Sequence, residues 1–179
     1  MKDLSLHVQD IAENSVRAGA SLVTITVTNS ARQDRIILRF EDNGKGMSPE
    51  LLARVTDPFT TTRTTRRVGL GIPLFKDAAE QTGGSFSIES TLGVGTVTTA
   101  EFVRSSIDTP PEGDLCGAVL TLIQGAPEID FLFTYQSDKG SFVCDTREIR
   151  ELLGGVGLDE PPVLAFLSEY LREHVTTLQ

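Results

Sequence analysis

The chain has 179 residues, 39% of them apolar, and carries 16 Lys and Arg against 25 Asp and Glu, a net charge of −9. That is enough apolar material for a core of ordinary size, and no stretch approaches the roughly 20 apolar residues that a membrane helix needs. Residues 1–104 carry 12 basic and 12 acidic side chains and residues 105–179 carry 4 and 13, so neither part has the basic excess by which nucleic-acid binders displace counterions. Cys116 and Cys144 are too few for a disulfide framework or a cysteine metal site and read as partly buried thiols. The residues up to His7 hold no long apolar signal segment, so the expectation is a cytoplasmic protein.

Leu4 to Arg17 has helical periodicity. Leu4, Val8, Ile11, Ala12, Ser15 and Val16 share one side, and Asp10, Glu13, Asn14 and Arg17 share the other. Gly19 ends the helix. Val23 to Thr28 alternates as a half-buried strand, and Ile36 to Glu41 is a second strand that delivers Asp42 to the loop Asn43-Gly44-Lys45-Gly46-Met47. A short helix follows, with Ser48 as N-cap, Pro49 at its first position and Glu50 in its first turn. Phe59 to Val68 is polar, dense in Thr and Arg, and lacks apolar periodicity. Leu70 to Thr82 reads as a helix with Pro73 in its first turn and Gly83-Gly84 as its stop. Ser85 to Ser90 and Thr96 to Val103 are strands joined through Gly93-Val94-Gly95. The order helix, hairpin, helix, loop, helix, hairpin predicts an α/β protein, an α+β two-layer sandwich with helices on one face of a sheet.

The composition changes at a polar junction, Ser105 to Gly113, which contains Pro110 and Pro111 and marks the candidate domain boundary. Residues 105–179 then read as a smaller acidic α+β extension. It has helices over Asp114 to Gln124, Arg147 to Leu153 and Pro161 to His174, and strands over Ile129 to Tyr135 and Ser141 to Cys144. No catalytic constellation stands out in it. Binding a partner and completing the fold are both compatible with its pattern.

Two glycine-bearing turns suit a phosphate ester. Asp42-x-Gly44-x-Gly46 leaves a strand, and Gly69-Leu70-Gly71 opens a helix, where free N–H groups and the helix dipole attract anions. Each alone is equally well a tight turn. The polar row on the first helix is compatible with a plain solvated face, but it also adds weight to a phosphate site. An Asn14 amide oxygen is a hard donor suited to Mg²⁺, and the Asp10 carboxylate one turn earlier could orient or deprotonate a nucleophile.

Together these segments resemble the GHKL superfamily of gyrase-type topoisomerases, heat-shock chaperones, histidine kinases and MutL-type repair proteins. Asp10 to Ala20 is similar to its N box, Glu41 to Met47 to the first glycine box, and Asp57 to Thr62 to the F box. Val68 to Ile72 is similar to the second glycine box, and Gly93 to Thr96 to the final Gly-Thr element. The resemblance covers residues 3 to about 103 and implies a Bergerat fold over residues 1–104. It implies a site for ATP and Mg²⁺ closed by a lid, here Thr60 to Val68. Asp42 would take the adenine amino group with help from Thr96. Asn14 would coordinate Mg²⁺, and Gly69, Leu70 and Gly71 would offer N–H groups to phosphates. Arg17 would face phosphate, and Gly44, Gly46, Met47 and Phe59 belong to the matching ATP-binding boxes. Arg63, Arg66 and Arg67 would either clamp phosphate or form a solvated basic loop.

Two departures stand out. The hydrolysing members carry Glu where this chain has Asp10, and they draw a Lys from a following domain that the tail looks too short to supply. No phosphoacceptor histidine precedes the ATP domain, since His7 lies on the N-box helix itself, so a complete autophosphorylating histidine kinase is not expected. The implied protein is a cytoplasmic regulator whose lid or acidic extension meets a protein partner, and a homodimer is compatible with it. Three activities stay open: a kinase of the anti-sigma serine type, a slow ATPase switch, and a non-catalytic ATP sensor or accessory protein.

Overall fold

The structure is a computed structural model that describes residues 2–57 and 71–179. Asp3 opens α1 (Leu4–Arg17) by accepting the Leu6 N–H on its side chain, as an N-cap acid should. A hairpin follows, β1 (Leu22–Ser30) and β2 (Arg35–Asp42), then the short α2 (Pro49–Arg54), capped by Ser48. Beyond the undescribed stretch come α3 (Gly71–Gln81) and a second hairpin, β3 (Ser85–Thr91) and β4 (Gly95–Val103). The acidic part supplies α4 (Leu115–Gly125), β5 (Asp130–Ser137), β6 (Gly140–Asp145), α5 (Thr146–Leu153) and α6 (Pro161–Leu178). Asp114 and Asp145 cap α4 and α5 in the same way that Asp3 caps α1.

The six strands of the described residues form one sheet in the order β3-β4-β2-β1-β5-β6. Its neighbours are antiparallel except β1 and β5, which run parallel from Leu22↔Asp130 to Asn29↔Ser137. Alternation along the strands sends Val23, Ile25 and Val27, Ile36, Leu38 and Phe40, and Phe131, Phe133 and Tyr135 into one layer, where all are buried. Helix α1 lies on β1 and β2, α3 on β3 and β4, and α6 on β5 and β6, with α4 packed against both α1 and α6. The two-layer arrangement expected from the sequence is therefore present. The opposite face stays polar, with Arg39 and Glu41 exposed and paired at 3.0 Å.

The sheet does not stop at the polar junction. The junction itself is tied down: the carbonyls of Pro111 and Glu112 accept the first N–H groups of α1, from Leu4 and Ser5, each at 2.9 Å. The Glu112 carboxylate accepts from Asn29 at 2.5 Å, from the Tyr135 hydroxyl at 2.7 Å and from the Gln179 side chain at 2.8 Å. One side chain thus joins β1, β5 and the last residue. Burial and the Glu112 charge together push the Tyr135 hydroxyl pKa well above its usual value.

Candidate functional site

At one end of the sheet, α1, the loop after β2, α2, β4 and the start of α3 enclose a cleft of about 240 Å³. Asp42 stands in its wall because β2 ends there with Asp42 on the same face as Phe40 and Leu38. Ser15 of α1 donates its hydroxyl to Asp42 Oδ2 at 2.6 Å, and the Gly44 N–H donates to Oδ1 at 2.9 Å. The carboxylate is held from two sides, and each oxygen keeps a second lone pair for a further donor. Strand pairing sets Thr96 directly opposite Asp42. The Thr96 hydroxyl meets Ser90 Oγ at 2.8 Å, and that same oxygen accepts the Met47 N–H at 2.8 Å. Ile11, Met47, Leu51, Val55 and Ile72 make the rest of the wall apolar, a slot fit for a flat ring whose polar edge reaches Asp42.

The loop after β2 and the β3–β4 turn approach other backbone too closely for a side chain at Gly46 and at Gly95. A Cβ on Gly46, where φ is 69°, would sit 2.1 Å from the Thr91 carbonyl oxygen. One on Gly95, where φ is 149°, would sit 2.0 Å from the Asp42 carbonyl oxygen. These glycines lock the loop against the β3–β4 turn, which fixes both Asp42 and Met47.

The polar row on α1 runs outward from this cleft. Arg17 donates to Asn14 Oδ1 at 2.5 Å, and both residues line the cleft together with Lys45. Asp10, one turn nearer the start of the helix, lies beside the cleft and is ion-paired with Lys2. Gly71 at the start of α3 faces both, its Cβ position lying 3.8 Å from Asn14 Nδ2 and 3.8 Å from Asp10 Cβ. Behind this row His7 is buried against Phe75, ring centroids 5.3 Å apart, and its Nδ1 has no hydrogen-bond partner among the described residues. Burial first, and then the nearby Lys2 ammonium, lower its pKa to about 4 against the raising effect of Asp10 and Asp3.

Residues 2–106 match the family model described as histidine kinase-, DNA gyrase B-, and HSP90-like ATPase. The chain belongs to this ATPase family. Its relatives include the sensor histidine kinase ZraS of Salmonella typhi, 34% identical over 87 residues, which are 48% of this chain and 18% of that protein. The sensor protein ChvG of Agrobacterium fabrum is 32% identical over 111 residues, 56% of this chain and 19% of its own length. The chain thus spans about a fifth of these sensor proteins. Among solved structures it resembles the Aquifex aeolicus MutL ATPase domain complexed with ADP, at 18% identity and a TM-score of 0.50, over 86% of this chain and 70% of that one. The N-terminal domain of a DNA repair protein gives a TM-score of 0.53 at 14% identity, over 80% of this chain and 52% of that one. Both structural likenesses speak for the Bergerat fold of the histidine kinase-, gyrase B- and HSP90-like ATPases.

Of the residues singled out from the sequence, Asn14, Arg17, Asp42, Gly46, Met47 and Thr96 come together around this cleft of the ATPase-family domain. Gly44 supports Asp42 through its N–H, and Gly71 faces Asn14 and Asp10. Phe59, Gly69 and Leu70, the stretch from Thr60 to Val68 and its arginines lie outside the described residues. Sequence reasoning missed Ser15 and Lys2. Ser15 was counted with the buried side of α1 because periodicity reports burial and not what a hydroxyl meets there. Lys2 precedes the helix, so no periodic pattern could attach it to Asp10. No helix among the described residues is long and apolar enough to cross a membrane.

Proposed function

We propose that this chain binds Mg-ATP in the cleft at Asp42 and uses it to regulate a protein partner, by phosphorylating that partner or through slow hydrolysis. The observation that carries the reading is the Asp42 carboxylate, held by Ser15 and Gly44 in the wall of an apolar slot with Asn14 and Arg17 alongside. A carboxylate set so accepts the exocyclic amine of adenine, and Thr96 supports the same edge from the neighbouring strand. Phosphates leaving the slot would pass Arg17 and Asn14 and approach the start of α3. Asn14 Oδ1 would be the donor to Mg²⁺. One amide oxygen suits an ion that takes most of its ligands from water and substrate phosphates, and magnesium bound there would neutralise phosphate charge. Asp10 would be the residue to orient or deprotonate a nucleophile, a role supported by its position one turn from Asn14 and opposite Gly71.

A second reading, a sensor that binds ATP without turnover, is favoured by the position of Asp10 outside the cleft lining and in an ion pair with Lys2. Incubation with γ-labelled ATP and Mg²⁺ separates the two readings, with wild type and Asp10→Asn side by side, with and without cell extract. Phosphate release that requires Asp10 marks an ATPase switch, and label transferred to an extract protein marks a kinase. Bound ATP that stays intact in every tube marks the sensor. No nucleotide binding at all would overturn both.

A further inference from the structure

We infer that Lys2 is a binding residue for the terminal phosphate, so that the chain's own second residue sets the preference for a triphosphate over a diphosphate. The inference rests on the nucleotide reading above and adds a residue that none of the matched motifs contains. Four side chains of alternating character follow α1 from its start toward the cleft: Lys2, Asp10, Asn14 and Arg17. They are joined in two pairs, Lys2 with Asp10 and Arg17 with Asn14. Asp42, where a base would be read, lies at the far end of this row, bonded to Ser15. A nucleotide anchored there and running along α1 meets Arg17 and Asn14 first, and Asp10 with Lys2 about one turn, roughly 6 Å, later. Only a longer phosphate chain reaches that far.

At that point the phosphate would face the Asp10 carboxylate, and two anions at close range repel. The Lys2 ammonium already lies on Asp10 and carries three N–H donors, so it can bridge the carboxylate and a phosphate oxygen without leaving its partner. The start of α3 adds a favourable dipole on the same side, because Gly71 faces both Asp10 and Asn14. Lys2 is about a third exposed, so its side chain can reach a ligand without disturbing the core.

The test is titration calorimetry of the full chain with ATP and with ADP in Mg²⁺ at fixed ionic strength, comparing wild type, Lys2→Met and Lys2→Arg. Lys2→Met is expected to weaken ATP binding about tenfold while ADP binding changes less than twofold, and Lys2→Arg to restore most of the ATP affinity. An ATP-to-ADP ratio that is unchanged in Lys2→Met, or an equal loss for both nucleotides, would overturn the assignment while leaving the nucleotide site standing. Wild type that binds neither nucleotide would overturn the site itself and Lys2 with it.

Discussion

Asp42, half-buried and bonded, and His7, buried with an unpartnered ring nitrogen, are opposite cases of a polar group out of water. Asp42 is bonded on both oxygens, so Asp42→Asn keeps an acceptor for the Gly44 N–H and turns its amide toward Ser15, whose hydroxyl can accept as well as donate. The variant is expected to fold normally and lose only the carboxylate proposed to read the base. Mg-ATP at 100 times its dissociation constant stabilises a binder by about 2.7 kcal/mol. For a chain of this size that raises the melting temperature by about 5–10 °C. Thermal scans should show this rise in wild type and none in Asp42→Asn; an equal rise in both would remove Asp42 from adenine recognition. His7 carries the reverse signature, since burial holds its pKa at about 4 against 6.5 in the unfolded chain. Between those values the unfolded state binds the extra proton, so stability is full above pH 6.5 and falls as the pH drops toward 4. The loss approaches about 1.4 kcal/mol per pH unit. Urea titrations from pH 7 to pH 4 should show that slope in wild type and a shallower one in His7→Phe, which keeps a ring against Phe75.

Helix α1 and the loop after β2 form a single working element, which explains how much of it is legible in the sequence. Caps, alternation and apolar periodicity are local, and they place α1, both hairpins and the helices of the acidic part within four residues of their bounds. Asn14, Arg17, Asp42 and Thr96 could be placed at one site because the resemblance links segments that periodicity treats separately. Contacts between elements of unrelated pattern were not legible: nothing around Ser15 announces Asp42, and nothing in the β5 sequence says that it will pair with β1. The glycine loop was ambiguous for a similar reason. Its glycines read equally as a phosphate cradle or a turn, and in the folded chain Gly46 lies against the Thr91 carbonyl. Gly46→Ala therefore combines a left-handed backbone with a steric overlap and should cost about 2–4 kcal/mol. Gly93→Ala shares the left-handed backbone, with φ at 81°, but meets nothing within 4 Å and should cost only about 1 kcal/mol. Urea midpoints of the two variants measure the difference. Gly46→Ala should also weaken ATP binding, because Met47 moves with the loop. Equal midpoints would mean that the contact with Thr91 does not brace the site.

At the scale of the whole molecule the question is whether the acidic part is cargo on an ATPase domain or a portion of its core. The family model ends at residue 106, which agrees with the change of composition. The packing does not follow that line. Strand β5 pairs with β1 over eight residues, and α4 buries Leu115, Val119, Leu122 and Ile123 in the same core as Leu4 and Val8 of α1. A fragment ending at Arg104 would turn β1 from an inner strand into an open edge and bare the side of α1 that α4 covers. It would also strip α1 of the carbonyls of Pro111 and Glu112 that receive its first N–H groups. Residues 1–104 expressed alone are therefore expected to aggregate or to expose apolar surface, and to recover nucleotide binding when residues 105–179 are co-expressed. Gel filtration and a dye for apolar surface read the first outcome, and co-purification of the two pieces on immobilised ATP reads the second. A monomeric 1–104 fragment that binds ATP with the affinity of the full chain would instead make the polar junction a true domain boundary. The acidic part would then be available for a partner, with no share in keeping the site folded.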